Sequence, residues 1–234
     1  MTPPTEVVDV EELVEFYRDP PVGVRANMIF SADGAAAFGG RAGPLSCPLD
    51  QQLFKALRGL ADVVLVGAGT ARAENYGPVR LSDAQREWRA GRGLADVPPI
   101  AVVSMTGNLP QSLFDPSAPA PILVTSAQAV ARHHLSGERW QLLIAGDDTV
   151  AVSDAVQQLK SQGLQRILCE GGPTLLDSLV DEGLVDELCV TIAPRLAGGQ
   201  PVGTRIQARL ASPTALRLRH VVQHQDYLFL KYAR

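Results

Sequence analysis

Aromatic residues are scarce in this chain. Phe, Trp and Tyr make up 5% of its 234 residues, too few for a surface that stacks single-stranded bases. Positive charge is not in excess either: 21 Lys and Arg stand against 25 Asp and Glu, for a net charge of −4. No basic patch of the kind that neutralises a phosphate backbone is present, so no nucleic-acid partner is expected. Cysteine is rare, and its count of three (Cys47, Cys169, Cys189) is odd, with no CxxC pair. That pattern reads as reduced thiols in a cytoplasmic protein. Long apolar runs are missing. The longest, around Val63–Val66, falls far short of a membrane span. Met1 to Asp9 has neither positive charge nor an apolar core, so it does not read as a signal peptide. Histidine ligands are lacking too: His133 and His134 are adjacent, do not share a helix face and have no partner at ligand spacing, so no metal site is expected. His220 and His224 read as surface residues. No GxSxG element or Ser/His/Asp order suggests a hydrolase.

What is present is an ordinary globular composition, 46% hydrophobic and 20% charged. At this length one core is sufficient, since a chain of roughly 200 residues buries about 70% of its unfolded surface. The expected organisation is an N-terminal arm, residues 1–21, followed by one domain over 22–234. Residues 1–8 carry Pro3 and Pro4 and are expected to fray. Val10, Leu13, Val14 and Tyr17 then mark one face of a short helix, with Asp9 placed to cap it and Pro20-Pro21 to stop it. Strands are expected at 24–31, 63–66, 100–104, 122–125, 142–145 and 166–169. Helices are expected at 49–60, 84–90, 127–135, 153–161 and 174–181. This alternation predicts an α/β fold with a mainly parallel central sheet and helices on both faces. Residues 186–193, 216–220 and 227–232 read as strands without intervening helices, which predicts antiparallel edge strands at the end of the chain. The stretch 77–99, rich in Pro and Gly, reads as a surface excursion around one helix.

Two segments share one design. Val63-Val64-Leu65-Val66 leads into Gly67-Ala68-Gly69-Thr70. Arg166-Ile167-Leu168-Cys169 leads into Glu170-Gly171-Gly172-Pro173-Thr174. Each is a buried strand, a glycine turn and a helix start. Ligands of open parallel sheets bind beyond the carboxyl ends of the strands, and the bare N–H groups of a helix start attract phosphate. Two such turns suggest a dinucleotide held by its phosphates. The alternative is that the glycines only make the turns and Pro173 only starts a helix; neither segment matches GxGxxG.

The block Glu170-Gly171-Gly172-Pro173-Thr174-Leu175-Leu176, followed by Gly183-Leu184-Val185-Asp186-Glu187-Leu188 and Ile192-Ala193-Pro194, resembles the C-terminal signature of the pyrimidine reductases of riboflavin biosynthesis. Ser31-Ala32-Asp33-Gly34 is similar to that family's N-terminal turn. Leu57-Arg58 and Asp62 to Thr70 are similar to its central motif. The blocks agree in order and spacing over roughly residues 22–232. The resemblance implies a dihydrofolate-reductase-like fold, NADPH as cofactor, a small-molecule substrate, a homodimer, and the stand-alone form without a deaminase domain. The HxE and PCxxC that zinc deamination needs are both missing.

The resemblance also implies roles. Ile29, Gly67, Gly69, Thr70, Glu74, Ser104, Gly171, Gly172, Pro173, Thr174 and Leu175 would hold the cofactor. Asn27, Leu45, Ser46, Arg58, Arg80 and Glu170 would contact the substrate, with the two arginines gripping its phosphate. Glu170 and Asp33 are the candidate catalytic groups. Beside these stand plainer readings: Arg80 as a solvated loop charge, Glu170 as a helix-start acid, and Asp33 as the first residue of an Asp-Gly turn. The family usually has lysine where this chain has Asn27, and aspartate near Glu74. The expected reaction is hydride transfer to the ribose of a phosphoribosylamino-pyrimidine. Reduction of another pteridine or pyrimidine such as dihydrofolate, and NADPH binding without turnover, remain open alternatives.

Overall fold

Strands that are apolar in a row lie in the middle of one sheet, because a strand covered on both faces needs no polar alternation. The computed structural model describes residues 4–198 and 210–234. β3 (Val63–Gly67), β4 (Ile100–Val103), β5 (Ile122–Thr125) and β7 (Arg166–Cys169) are buried almost throughout. They join β1 (Thr5–Glu6), β2 (Gly23–Ser31), β6 (Gln141–Ile144), β8 (Val185–Ala193), β9 (Arg217–His224) and β10 (Tyr227–Ala233). Among the described residues the order is β1-β9-β10-β8-β2-β7-β3-β4-β5-β6. From β8 to β6 every pairing is parallel. β10 runs antiparallel to both β8 and β9. The expected α/β class, with a mainly parallel sheet and antiparallel C-terminal strands, is therefore what the chain adopts.

Helices cover both faces. α2 (Pro48–Leu60) packs Leu49, Leu53, Leu57 and Leu60 into one core. α6 (Val152–Ser161) and α7 (Pro173–Asp181) pack Val152, Val156, Leu159, Leu175, Leu176 and Leu179 into the other. Apolar residues at these helical intervals make the stripe that burial requires. α3 (Ala68–Ala73), α4 (Asp83–Ala90) and α5 (Ala127–His133) complete the connections. No helix among the described residues is long and apolar enough to cross a membrane.

The N-terminal segment differs from expectation. Thr5 and Glu6 do not fray but pair in parallel with Val222 and Gln223 of β9, and Val7 is buried. α1 (Val10–Glu15) is capped as expected, with Asp9 accepting from Glu12 N at 2.9 Å. Glu12 answers not to the cap residue but to Val8 N, at 3.0 Å. The C-terminal hairpin is also less open than expected. β10 lies between β8 and β9, so among the described residues the hairpin's open edge is that of β9, and β1 covers part of it. His220 is not a surface residue. It packs edge-on against Phe16 and Tyr17, and burial pushes its pKa down to about 4.

The excursion over 77–99 is anchored more firmly than a surface loop. Arg89 of α4 is fully buried and donates to the carbonyls of Gly59 (2.9 Å), Ala61 (2.6 Å) and Ala95 (2.7 Å). Two of these oxygens lie at the C-terminal end of α2, where carbonyls lack helical partners. Arg89 thereby fixes the end of the helix that carries Arg58. Replacing Arg89 with Met keeps the bulk but orphans buried carbonyls. The expected loss is about 3 kcal/mol or more of unfolding free energy by urea titration. A loss below about 0.5 kcal/mol, the range of ordinary surface changes, would contradict this anchoring role.

Candidate active site

β3 and β7 end side by side, and their exits build the site. Glu170 N donates to Leu65 O at 2.9 Å, and Gly67 N donates to Gly171 O at 2.8 Å. β3 passes straight into α3, with Gly67 at the cap position, so no separate glycine turn exists there. β7 leaves through Glu170, Gly171 and Gly172, and Pro173 is the first residue of α7. The Gly171–Gly172 peptide is cis, and Gly171 has φ +78°, a conformation suited to glycine. A Cβ on Gly172 would stand 2.3 Å from Thr70 Oγ1. Gly172 is thus glycine because the Thr70 side chain abuts it.

At the same edge three side chains from distant segments meet. Arg58 of α2 donates from Nε and Nη2 to the two oxygens of Glu170, both at 2.7 Å. Tyr76 Oη donates to Glu170 Oε2 at 2.7 Å. The guanidinium also lies 4.4 Å from the Phe54 ring centroid and 5.0 Å from that of Tyr76. The Glu170 side chain is 1% exposed and that of Arg58 13%. Burial alone would lower the Arg58 pKa, but the adjacent Glu170 charge and its hydrogen bonds hold it above its ordinary value. Burial raises the Tyr76 pKa well above normal, so the phenol stays a donor.

Two hollows flank this edge. A cleft of about 360 Å³ lies beside β4, lined by Gly67, Gly69, Arg72, Ser104, Thr174 and Leu175 among others. Its lining holds no carboxylate, and its one guanidinium is Arg72, which donates to Asn108 O at 2.9 Å. A larger cavity of about 540 Å³ lies toward β2 and α2. Adjacent residues line one hollow each, Gly69 and Thr70 on α3, Pro173 and Thr174 on α7. The β3–β7 exits therefore form the sill between two compartments.

Of the expected cofactor residues, Gly67, Gly69, Ser104, Thr174 and Leu175 line the cleft. Ile29, Thr70, Glu74, Gly172 and Pro173 line the cavity instead. Gly171 lines neither and serves through its carbonyl. Glu74 accepts from Ala42 N at 2.7 Å and pairs with Arg41 at 3.6 Å, which ties the loop after Gly40 to α3. Of the expected substrate residues, Asn27, Ser46, Arg58 and Glu170 line the cavity.

Three more of the expected residues line neither hollow. Leu45 is a core residue, 2% exposed, and its carbonyl accepts from Tyr227 Oη at 3.1 Å. Arg80 is 73% exposed and pairs with Asp115 at 2.7 Å, away from both hollows. Asp33 accepts from Ser31 Oγ (2.5 Å), Ala197 N (3.1 Å) and Gly198 N (2.8 Å). The Ser31 hydroxyl, then those two amides, hold its pKa down at about 2, so it organises a turn and stores no proton near neutrality. Two further expectations change in kind. Arg58 commits its fork to Glu170 and is not a free phosphate grip, and Glu170 has both oxygens occupied.

Sequence reasoning missed Asp50, Phe54 and Lys55 on α2, Arg41 before it, and Tyr76 after α3, all on the cavity. A signal for some of them was present. Asp50, Phe54 and Arg58 stand four residues apart, as do Gln51 and Lys55, so one helix face carries them into the same space.

The profile of the RibD C-terminal domain family matches residues 23–229, and the chain belongs to that family of reductases. It is 26% identical to the 2,5-diamino-6-ribosylamino-4(3H)-pyrimidinone 5′-phosphate reductase of Methanothermobacter thermautotrophicus, over 88% of this chain and 95% of that one. It is 27% identical to the protein of the same name from Archaeoglobus fulgidus, over 67% and 72%. Among solved structures, a pyrimidine reductase-like protein from Corynebacterium diphtheriae superposes with a TM-score of 0.81, at 28% identity, covering 97% of this chain and 98% of the other. A riboflavin biosynthesis reductase from Saccharomyces shares the fold at 17% identity, with a TM-score of 0.66 over 97% and 99%.

Exchange of Glu170 for Gln removes half of a bidentate buried pair and leaves Arg58 without its counter-charge. The expected loss is about 3–5 kcal/mol in unfolding free energy, far more than a helix-start acid contributes. Arg58→Gln in the Glu170→Gln background should cost much less than the sum of the single changes. Additive losses in this cycle would show that the two groups do not act as a pair.

Proposed function

We propose that this chain reduces the ribosyl carbon of a phosphoribosylamino-pyrimidine to the ribityl form, with NADPH bound across the β3–β7 sill. The observation that carries this reading is the pairing of a carboxylate-free cleft with a polar cavity on the two sides of that sill. The residues of the cleft fit a dinucleotide phosphate. An acidic residue placed for a ribose 2′-hydroxyl is missing, while Arg72, Ser104, Thr106 and Thr149 offer donors to a phosphate. Gly69 has open space where a Cβ would stand, so ligand backbone approach is unobstructed. When bound, the cofactor supplies the hydride, and the protein contributes orientation and exclusion of water.

The cavity divides its charges by task. Arg58, Glu170 and Tyr76 form a rigid floor, and Asn27 and Ser46 present polar groups to a heterocycle and its sugar. Lys55, exposed at the rim one turn before Arg58, and Arg41 replace the expected Arg58 and Arg80 as the grip on the substrate phosphate. We place the chain as a homodimer through the β9 edge, where residues 217–221 lie beyond the two pairs made by β1. Light scattering at micromolar concentration tests this, and a monomeric mass contradicts it.

The direct test is consumption of NADPH with 2,5-diamino-6-ribosylamino-4(3H)-pyrimidinone 5′-phosphate, with its 5-amino uracil analogue and dihydrofolate in parallel. Turnover on a phosphoribosylamino-pyrimidine and none on dihydrofolate is the expected result. Tight NADPH binding without turnover on either pyrimidine overturns it. Lys55→Gln should raise KM for the phosphorylated substrate about tenfold with kcat little changed, the cost of one lost charge-assisted hydrogen bond. Gly69→Asp, which adds a negative charge to the cleft, should weaken NADPH about tenfold or more without lowering the melting temperature. Equal NADPH affinity in this variant would place the cofactor elsewhere.

A further inference from the structure

Asp50 belongs to no role assigned so far. It sits in the first turn of α2, 9% exposed, and lines the cavity beside Asn27, Ile29 and Ser46. Its two oxygens meet two hydroxyls: Ser46 Oγ at 2.5 Å on Oδ2 and Thr191 Oγ1 of β8 at 2.7 Å on Oδ1. No cation pairs with it among the described residues, in contrast to Glu170. A buried carboxylate without a counter-charge is costly, whereas the neutral acid is not. Hydroxyl partners suit both states, because each can donate to a carboxylate or accept from a carboxylic acid.

We propose that Asp50 is the proton donor of the reduction, holding its proton in the cavity and delivering it to the heteroatom of the bond being reduced. This rests on the reading of the chain as a nicotinamide-dependent reductase. The balance is as follows. The acceptor carbon gains a hydride from the reduced nicotinamide and forms a C–H bond. The π pair of its C=O or C=N bond moves to the heteroatom. That heteroatom takes the Asp50 proton and forms an O–H or N–H bond. Asp50 is left as a carboxylate held by Ser46 and Thr191, and it regains a proton from solvent at the cavity mouth. Asp33 cannot serve, with its carboxyl held low and occupied by Ser31 and by the amides of Ala197 and Gly198. Glu170 differs in being bound bidentately to the Arg58 guanidinium, a partner that can only donate and so favours the carboxylate.

The surroundings agree with an acid poised above its ordinary range. Burial raises the Asp50 pKa, and the Ser46 and Thr191 hydroxyls oppose that rise only in part. The titratable groups around it are Tyr17 and the Arg25–Glu187–Cys189 cluster with Lys231, on the same face of the sheet, and Lys55, the Arg41–Glu74 pair and the Arg58–Glu170–Tyr76 cluster around the cavity. The charged pairs among them are mutually neutralised, and neither Lys55 nor Lys231 pairs with Asp50, so burial is the largest influence on it.

The sign of the pH dependence follows. A proton donor acts while protonated, so kcat should be highest below the Asp50 pKa and fall as pH rises through it. Three measurements test the proposal. Carbon NMR of aspartate-labelled wild-type protein, without cofactor, should show one buried carboxyl titrating above the ordinary aspartate value of about 4, and Asp50→Asn should remove that signal. In steady-state assays Asp50→Asn should lower kcat at least tenfold, with NADPH affinity unchanged and the alkaline fall in kcat abolished. Thr191→Val deletes one hydroxyl that favours the carboxylate, so it should move the alkaline limb of kcat to higher pH, which a merely structural bond would not do. An Asp50 that titrates in the ordinary range, a fully active Asp50→Asn, or an unmoved limb in Thr191→Val overturns the proposal. Thr191→Val and the wild-type titration decide the matter if Asp50→Asn does not fold. A wild-type protein that turns over no pyrimidine while showing the raised carboxyl would instead refute the reductase reading and leave the acid in place.

Discussion

The Arg58–Glu170 pair sets the dimensions of the site. Its members lie 112 residues apart in sequence, one on α2 and one at the exit of β7. Burying two charges is unfavourable unless their geometry is good and their remaining hydrogen-bonding capacity is used. Here the contact is bidentate, Tyr76 takes a further lone pair of Glu170, and Phe54 and Tyr76 offer ring faces to the guanidinium. Such a fork fixes orientation as well as distance. It holds α2 against the sheet edge, and with α2 it fixes Lys55 and Asp50, about one and two turns nearer the helix start. Arg89 secures the same C-terminal end of that helix through its last carbonyls. The C-terminal end of the cavity wall is thus held twice, by a buried ion pair at Arg58 and by a buried guanidinium on the carbonyls just beyond it.

The rest of the site follows from where parallel strands end. β3 and β7 are neighbours in the sheet, so their exits, far apart in sequence, become one ridge with a hollow on each side. The cleft side carries hydroxyls, glycines and one arginine without carboxylates, chemistry suited to phosphate. The cavity side carries acids and bases in pairs, with Asp50 as the acid left over. A reductase needs this asymmetry: one compartment to hold a large anionic cofactor and another to orient a polar acceptor and supply a proton.

Much of the fold was legible in the sequence. Central strands were readable because unbroken apolar runs such as Val63–Val66 have no other use in a chain of this composition. Helices were readable because Leu49, Leu53, Leu57 and Leu60 recur at helical spacing. β1 was not, since Thr5 and Glu6 carry no pattern and gain their order from β9 at the other end of the chain. In the site, motif resemblance found the segments but not the pairings. Arg80 and Arg58 are alike as letters, yet one meets Asp115 in solvent and the other Glu170 in the interior. Leu45 and Ser46 are adjacent, and the backbone turns one into the core and the other into the cavity. Asp33 is held by Ser31 beside it and by the amides of Ala197 and Gly198, a long-range tie that an Asp-Gly turn does not announce. Asp50 gave no motif, and its character comes from burial and from Thr191, 141 residues away.

The central claim is that cleft and cavity are two halves of one site joined across the β3–β7 exits. A crystal structure of the protein with oxidised NADP bound tests it most directly. The account predicts the adenosine phosphate beside Ser104 and Arg72, the pyrophosphate near the start of α7, and the nicotinamide ring over the sill in the cavity, within reach of the space that Asp50 faces. A dinucleotide bound wholly on one side of the sill, or with its nicotinamide turned away from the cavity, would contradict it.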